Sequence, residues 1–240
     1  MTQCPCCSHD CLNKLCTHKI PVFSSLNQEE MDRLASIALH RQHQKGETIL
    51  SEGESLNALV ILNEGSAKAY KLTPDGREQI LYVFTQGDFF GERNLLGGRT
   101  SAYTVETLEP SKTCAFGRDE FYDLLRTNPE IAIKIIQELE KRLERMESAM
   151  HTMGVRSLDG RVGGLLLDFG EKYGTETPEG TLIRLPLSRE GIANFLGIAR
   201  ETLSRKLGQL EADGVIRSMG NKAILLLNSD VLRELAGKTE

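Results

Sequence analysis

No proline falls between Pro129 and Pro178, whereas the stretch before Pro129 is cut by glycines at Gly46, Gly53, Gly65, Gly76, Gly87 and Gly91. Turns at that spacing leave room only for short antiparallel strands, while a long proline-free run suits helix. The chain therefore changes character near Pro129. Between the glycines lie the apolar run Leu59-Val60-Ile61-Leu62, the alternating Ala67 to Leu72, and Ile80 to Phe84, the last two joined by Pro74-Asp75-Gly76, which has tight-turn chemistry. A helical lead-in, Asn27 to Ala38, precedes them.

In the second half, Leu139, Leu143, Met146, Met150 and Met153 follow a 4-3-4-3 spacing, with Glu138, Lys141, Glu144 and Arg145 between them. That is the seam of a coiled coil and predicts a homodimer. The same apolar face would also serve a helix packed on its own β-domain. No acid interrupts the seam, which favours a permanent dimer.

Beyond Ser157 the pattern shortens. Leu187 to Ile198 predicts a helix with Ser188 as N-cap and Gly197 at its stop, and Arg200 to Ala212 a second helix after a turn of a few residues. Two short helices so joined form a helix-turn-helix. The strands Val215 to Met219 and Ala223 to Leu227 flank Gly220-Asn221-Lys222 as a wing. The expected fold class is α+β, in four parts: a cysteine-rich segment 1–19, a β sensor domain 20–121, a dimerisation helix 122–156 and a winged helix-turn-helix 157–240.

At ~100° per residue, Leu203, Leu207 and Leu210 share one arc of the second helix, while Arg200, Glu201, Ser204 and Arg205 share the other. Arginine suits guanine, glutamate accepts from the cytosine amino group, and serine serves base or phosphate. Lys206 is expected on phosphate. Between Pro186 and Lys222 six Lys or Arg face four acids, against a net charge of −5 for the whole chain. That regional excess fits a small reading head on double-stranded DNA and argues against a wide polyanion-binding surface. The Arg and Glu pairs are also compatible with surface salt bridges.

Five of the six cysteines are Cys4, Cys6, Cys7, Cys11 and Cys16, and Cys114 stands alone. The first twenty residues lack an apolar signal core and no apolar stretch is long enough for a membrane span, so a cytoplasmic location is expected. In a reducing compartment such a cluster is more often a metal or redox site than a disulfide framework. No nucleophile elbow, P-loop or HExxH helix appears, and His9, His18, His40, His43 and His151 show no catalytic spacing, so no enzyme is expected.

The stretch Gly197 to Leu207, with Glu201 and Arg205 as its core readers, resembles the recognition motif of the CRP/FNR superfamily of transcription regulators. The resemblance extends from Ile20 onward, through the glycine-rich roll, the long helix and Gly160-Arg161-Val162. It implies an N-terminal antiparallel β-roll, a jelly roll like that of cyclic-nucleotide-binding domains, with RNA polymerase as a partner on DNA. Ser204 is similar to the FNR branch and Arg200 to the CRP branch. The FNR branch carries an oxygen-labile 4Fe-4S cluster on three N-terminal cysteines and one in the roll. Cys114, in Ser111-Lys112-Thr113-Cys114-Ala115-Phe116, resembles the roll cysteine, and Cys7, Cys11 and Cys16 are the N-terminal ligands chosen, with Cys4 and Cys6 as spares. Zinc on the same thiolates, a redox disulfide to Cys114, or no metal at all remain alternatives. The Gly91-Glu92 and Arg99-Thr100 steps are similar to those with which the superfamily's cyclic-nucleotide binders hold ribose and phosphate. The interval between them is shorter, and Met146 and Glu147 stand where a Thr-Ser pair would contact the purine.

Overall fold

The structure is a computed structural model and describes Phe23, residues 26–155 and residues 157–237. It divides into two compact units: the described residues up to Leu72 with Leu81–Arg142, and Thr73–Ile80 with the described residues from Leu143 onward.

The first unit opens with helix α1 (Gln28–Ile37), whose N-cap Asn27 and Glu30 form a reciprocal capping box. Two antiparallel sheets follow. Strands β1 (Leu39–His43), β3 (Ala58–Glu64), β6 (Phe89–Phe90) and β8 (Ser111–Gly117) form one in the order β1-β8-β3-β6. Strands β2 (Thr48–Leu50), β4 (Ala67–Leu72), β5 (Glu78–Phe84) and β7 (Thr104–Thr107) form the other in the order β2-β7-β4-β5. A short helix α2 (Glu92–Gly97) interrupts the strands, and α3 (Arg118–Thr127) and the long α4 (Pro129–Val155) follow β8. This is the expected β-roll.

Strand β3 explains the unbroken apolar run at Leu59–Leu62. Successive side chains of a strand point to opposite faces. Leu59 and Ile61 join a core with Leu34, Phe116, Phe121, Ile131 and Ile135, while Val60 and Leu62 join a second core with Leu50, Ala69, Phe84, Phe90 and Val105. Both faces of the strand are covered, one by helices and one by the other sheet, so neither can be polar.

The segment expected as one helix over 122–156 is two helices, because α3 ends at Thr127 and Asn128 leaves the helical conformation ahead of Pro129.

In the second unit, α5 (Leu158–Tyr173) leads into a four-stranded antiparallel sheet built from β9 (Gly174–Thr177), β10 (Gly180–Arg184), β11 (Ile216–Ser218) and β12 (Ala223–Leu226), ordered β11-β12-β10-β9. The sheet brackets α6 (Arg189–Leu196) and α7 (Arg200–Ala212), and α8 (Ser229–Leu235) closes the unit. The two-stranded wing read from sequence is thus half of a larger sheet. The hairpin β9-β10 had a legible signal in Thr177-Pro178-Glu179-Gly180. Gly180 has φ +136 and lies so close to the Leu226 carbonyl that no side chain fits there.

Candidate DNA interface and sensor sites

The turn between α6 and α7 is three residues, Gly197-Ile198-Ala199. Ser188 caps α6 by accepting from Gly191 N at 3.0 Å, and Gly197, at φ +64, reverses the chain at its other end. On α7, Leu203, Leu207 and Leu210 are buried, and Arg200, Glu201, Ser204 and Arg205 are exposed on one side. The N-cap Ala199 has no side chain able to cap, so the first-turn N–H groups point outward with the positive end of the helix dipole. This face can meet base edges and backbone phosphate together. Glu211 Oε1 accepts from Ser218 N at 2.9 Å, and Arg189 Nη2 lies 3.3 Å from Ser218 Oγ, tying the wing to both helices.

Lys206, expected on phosphate, has its contacts within the protein. Its Nζ lies 2.6 Å from Asp159 Oδ1 on α5 and 2.9 Å from Gln209 Oε1, and its side chain is only 12% exposed. On the helix wheel it stands about 40° from Leu210 and about 100° from Arg205, on the docking side. The signal for this was present in the angle but not in the residue type.

Along α4, Ile131 and Ile135 are buried in the roll core and Leu139 packs against it half-buried. Leu139 therefore serves the intramolecular packing that was the alternative reading of the seam. Ile136, Leu143 and Met146 remain 64, 55 and 43% exposed. They continue the heptad, and Ile136 extends it one layer toward the N-terminus. The side chains of Met150 and Met153 lie outside the described residues.

In the roll, Cys114 is buried on the helix-facing side of β8. The β1-β8 register sets His40 directly opposite it, and His40 Nδ1 lies 3.0 Å from Sγ. Asn63 Nδ2 also donates to Sγ. Cys114 Sγ thus stands between an amide donor and a ring nitrogen that donates or accepts according to its tautomer, two polar neighbours able to orient a cysteine, the residue that ligates metal as its thiolate. Neither His40 nor Asn63 was legible beforehand, since only strand register brings them to Cys114. Cys4, Cys6, Cys7, Cys11, Cys16, His9 and His18 lie outside the described residues. Among the described residues no cluster of three or more metal-ligating side chains occurs.

The Gly91-Glu92 step is partly closed from within. Arg142 of α4 pairs with Glu92, and its guanidinium sits 5.1 Å from the Phe89 ring, 5.5 Å from Phe84 and 5.9 Å from Tyr82. Burial raises the Glu92 pKa above its ordinary value, against the pull of Arg142. Arg99 and Thr100 are exposed. Among the described residues no helix is long and apolar enough to cross a membrane.

Residues 40–128 match the Cyclic nucleotide-binding domain family, and residues 160–235 match the Crp-like helix-turn-helix domain family. A CRP-like cAMP-activated global transcriptional regulator of Mycobacterium tuberculosis is 30% identical over 194 residues, 80% of this chain and 85% of that protein. The Fumarate and nitrate reduction regulatory protein of Salmonella typhimurium is 28% identical over 232 residues, 96% of this chain and 90% of that protein. Among solved structures, FixK2 from Bradyrhizobium japonicum superposes with a TM-score of 0.73 at 27% identity, covering 83% of this chain and 97% of that one.

Proposed function

This chain belongs to the CRP/FNR family of transcription regulators, and from that premise we propose that it is an oxygen- or redox-responsive regulator acting as a cytoplasmic homodimer, in concert with RNA polymerase, on a TTGA-TCAA-like palindrome, the half-sites that its resemblance to the FNR branch implies. The observation that carries the DNA reading is the division of α7 into a buried leucine face and an exposed face of Arg200, Glu201, Ser204 and Arg205. Two such heads related by a two-fold axis read half-sites about 34 to 36 Å apart. The exposed heptad of Ile136, Leu143 and Met146 supports pairing through α4.

For the sensor, Cys7, Cys11, Cys16 and Cys114 would hold a 4Fe-4S cluster, whose oxidation state and stability toward oxygen supply the signal. The amide donor of Asn63 and the imidazole of His40, both beside Cys114 Sγ, support that role. Anaerobic reconstitution with iron and sulfide, followed by iron analysis and gel-shift titration on the palindrome, tests both halves. A colourless protein that takes up no iron yet still binds the palindrome retires the cluster and keeps the DNA reading.

A cyclic-nucleotide response has one observation in its favour. Glu92 Oε2 is buried without a hydrogen-bond partner at the Gly-Glu step, leaving an acceptor for a ribose hydroxyl. Calorimetry with cyclic AMP on iron-free protein decides between the two.

A further inference from the structure

The contact between Lys206 and Asp159 lies outside the reading face yet fixes the helix that carries it. Asp159 stands in the first turn of α5, where Ser157 caps the helix and a negative charge is favoured by the dipole. Two residues on, Arg161 Nη2 donates to the Leu196 carbonyl at the end of α6, just before the reversal at Gly197. One turn of α5 therefore holds the end of α6 with a guanidinium and the middle of α7 with a carboxylate. The leucines of α7 are non-directional contacts, which resist separation better than rotation. A 2.6 Å ion pair, set about 40° from Leu210 on the helix wheel, adds the directional constraint. Rotating α7 about its axis swings Glu201 and Arg205 around the helix, away from the direction they face, and separates Lys206 from Asp159.

We propose that Asp159 is a positioning residue for DNA recognition, setting the rotation of α7 through Lys206. The proposal rests on the reading of α7 as the recognition helix. It makes Lys206 a tether within the protein and not a phosphate ligand. The two partners are unequal: loss of Asp159 leaves an ammonium that is 12% exposed with the neutral Gln209 Oε1 as its acceptor, whereas loss of Lys206 leaves a carboxylate that is 39% exposed and still hydrated.

The test uses the full-length protein and a randomised duplex pool, from which wild type, Asp159→Asn, Asp159→Glu, Lys206→Met and Lys206→Arg each select their sites. Affinity for the wild-type consensus and for a scrambled duplex is then titrated over a range of salt. Asp159→Asn and Lys206→Met should each lose about tenfold on the consensus, the order of one base contact, with Asp159→Asn losing more. Neither should lose affinity for the scrambled duplex or change the salt slope, and the charge-conserving variants should stay near wild type. A salt slope about 0.9 shallower for Lys206→Met, with Asp159→Asn unaffected, makes Lys206 a phosphate ligand and overturns the proposal. A lowered melting temperature with unaltered selectivity reduces the pair to a structural brace and overturns it equally. Wild-type protein that enriches no sequence overturns the DNA reading itself and the proposal with it.

Discussion

Arg142 Nη1 stands 3.2 Å from Glu92 Oε1 while its Nη2 donates to the Phe89 carbonyl at 2.9 Å, so one guanidinium joins the long helix to the edge of the roll. Because burial holds the Glu92 pKa above 4.5, the native state binds that proton more tightly than the unfolded chain does. The unfolded state then carries fewer protons, and stability falls as pH rises from about 4.5 through the raised value. Glu92→Gln should remove this component. Urea midpoints measured from pH 4 to 8 should show wild type losing ground relative to the variant as pH rises; parallel curves would refute the assignment.

Cys114→Ser should abolish the visible absorbance of the anaerobically reconstituted protein and its iron content. Asn63→Leu removes a donor to the sulfur and should lower the cluster's reduction potential, since hydrogen bonds to ligand sulfur stabilise the more negative, reduced state. Iron uptake unaffected by Cys114→Ser counts against the ligand set.

On the long helix, Met146→Asp should drive the protein toward monomer, because each carboxylate would face its symmetry mate in an apolar seam. Sedimentation velocity in air and under nitrogen provides the measurement. Wild type should be dimeric in both, and a wild type that is monomeric in air would overturn the view of a permanent dimer.

Glu201→Ala should relax selection at a single base pair, with about 1 to 3 kcal/mol of discrimination lost there and little elsewhere. Titrations on single-base variants of the palindrome resolve this. Equal losses on every variant would make Glu201 a structural residue.

Leu203, fully buried beneath the reading face, should cost about 2 to 5 kcal/mol on replacement by alanine, read as a shift in the urea midpoint of the C-terminal unit. The exposed Ser204→Ala should stay within about 0.5 kcal/mol of wild type in stability while altering DNA affinity.

The amino-acid sequence alone determined the features whose cause is local. Ser188 and Gly197 delimit α6 because capping and the left-handed conformation depend on a few neighbouring atoms. Leu203, Leu207 and Leu210 identify the docking face of α7 because helix geometry is fixed, and the glycines mark the turns of the roll for the same kind of reason. What only the tertiary structure decided depends on which surface comes to lie against a given face. Periodicity marked Leu139 and Leu143 alike, yet Leu139 packs on the roll and Leu143 is exposed, because the stripe of Ile131, Ile135 and Leu139 is where the roll core meets α4 and Leu143 stands one turn beyond it on the same face. Strand register placed His40 and Asn63 on Cys114, and the docking of α5 turned Lys206 inward to Asp159. A charge on a helix has no preferred partner until another element arrives within a few ångströms, since solvent screens it equally from every direction until then.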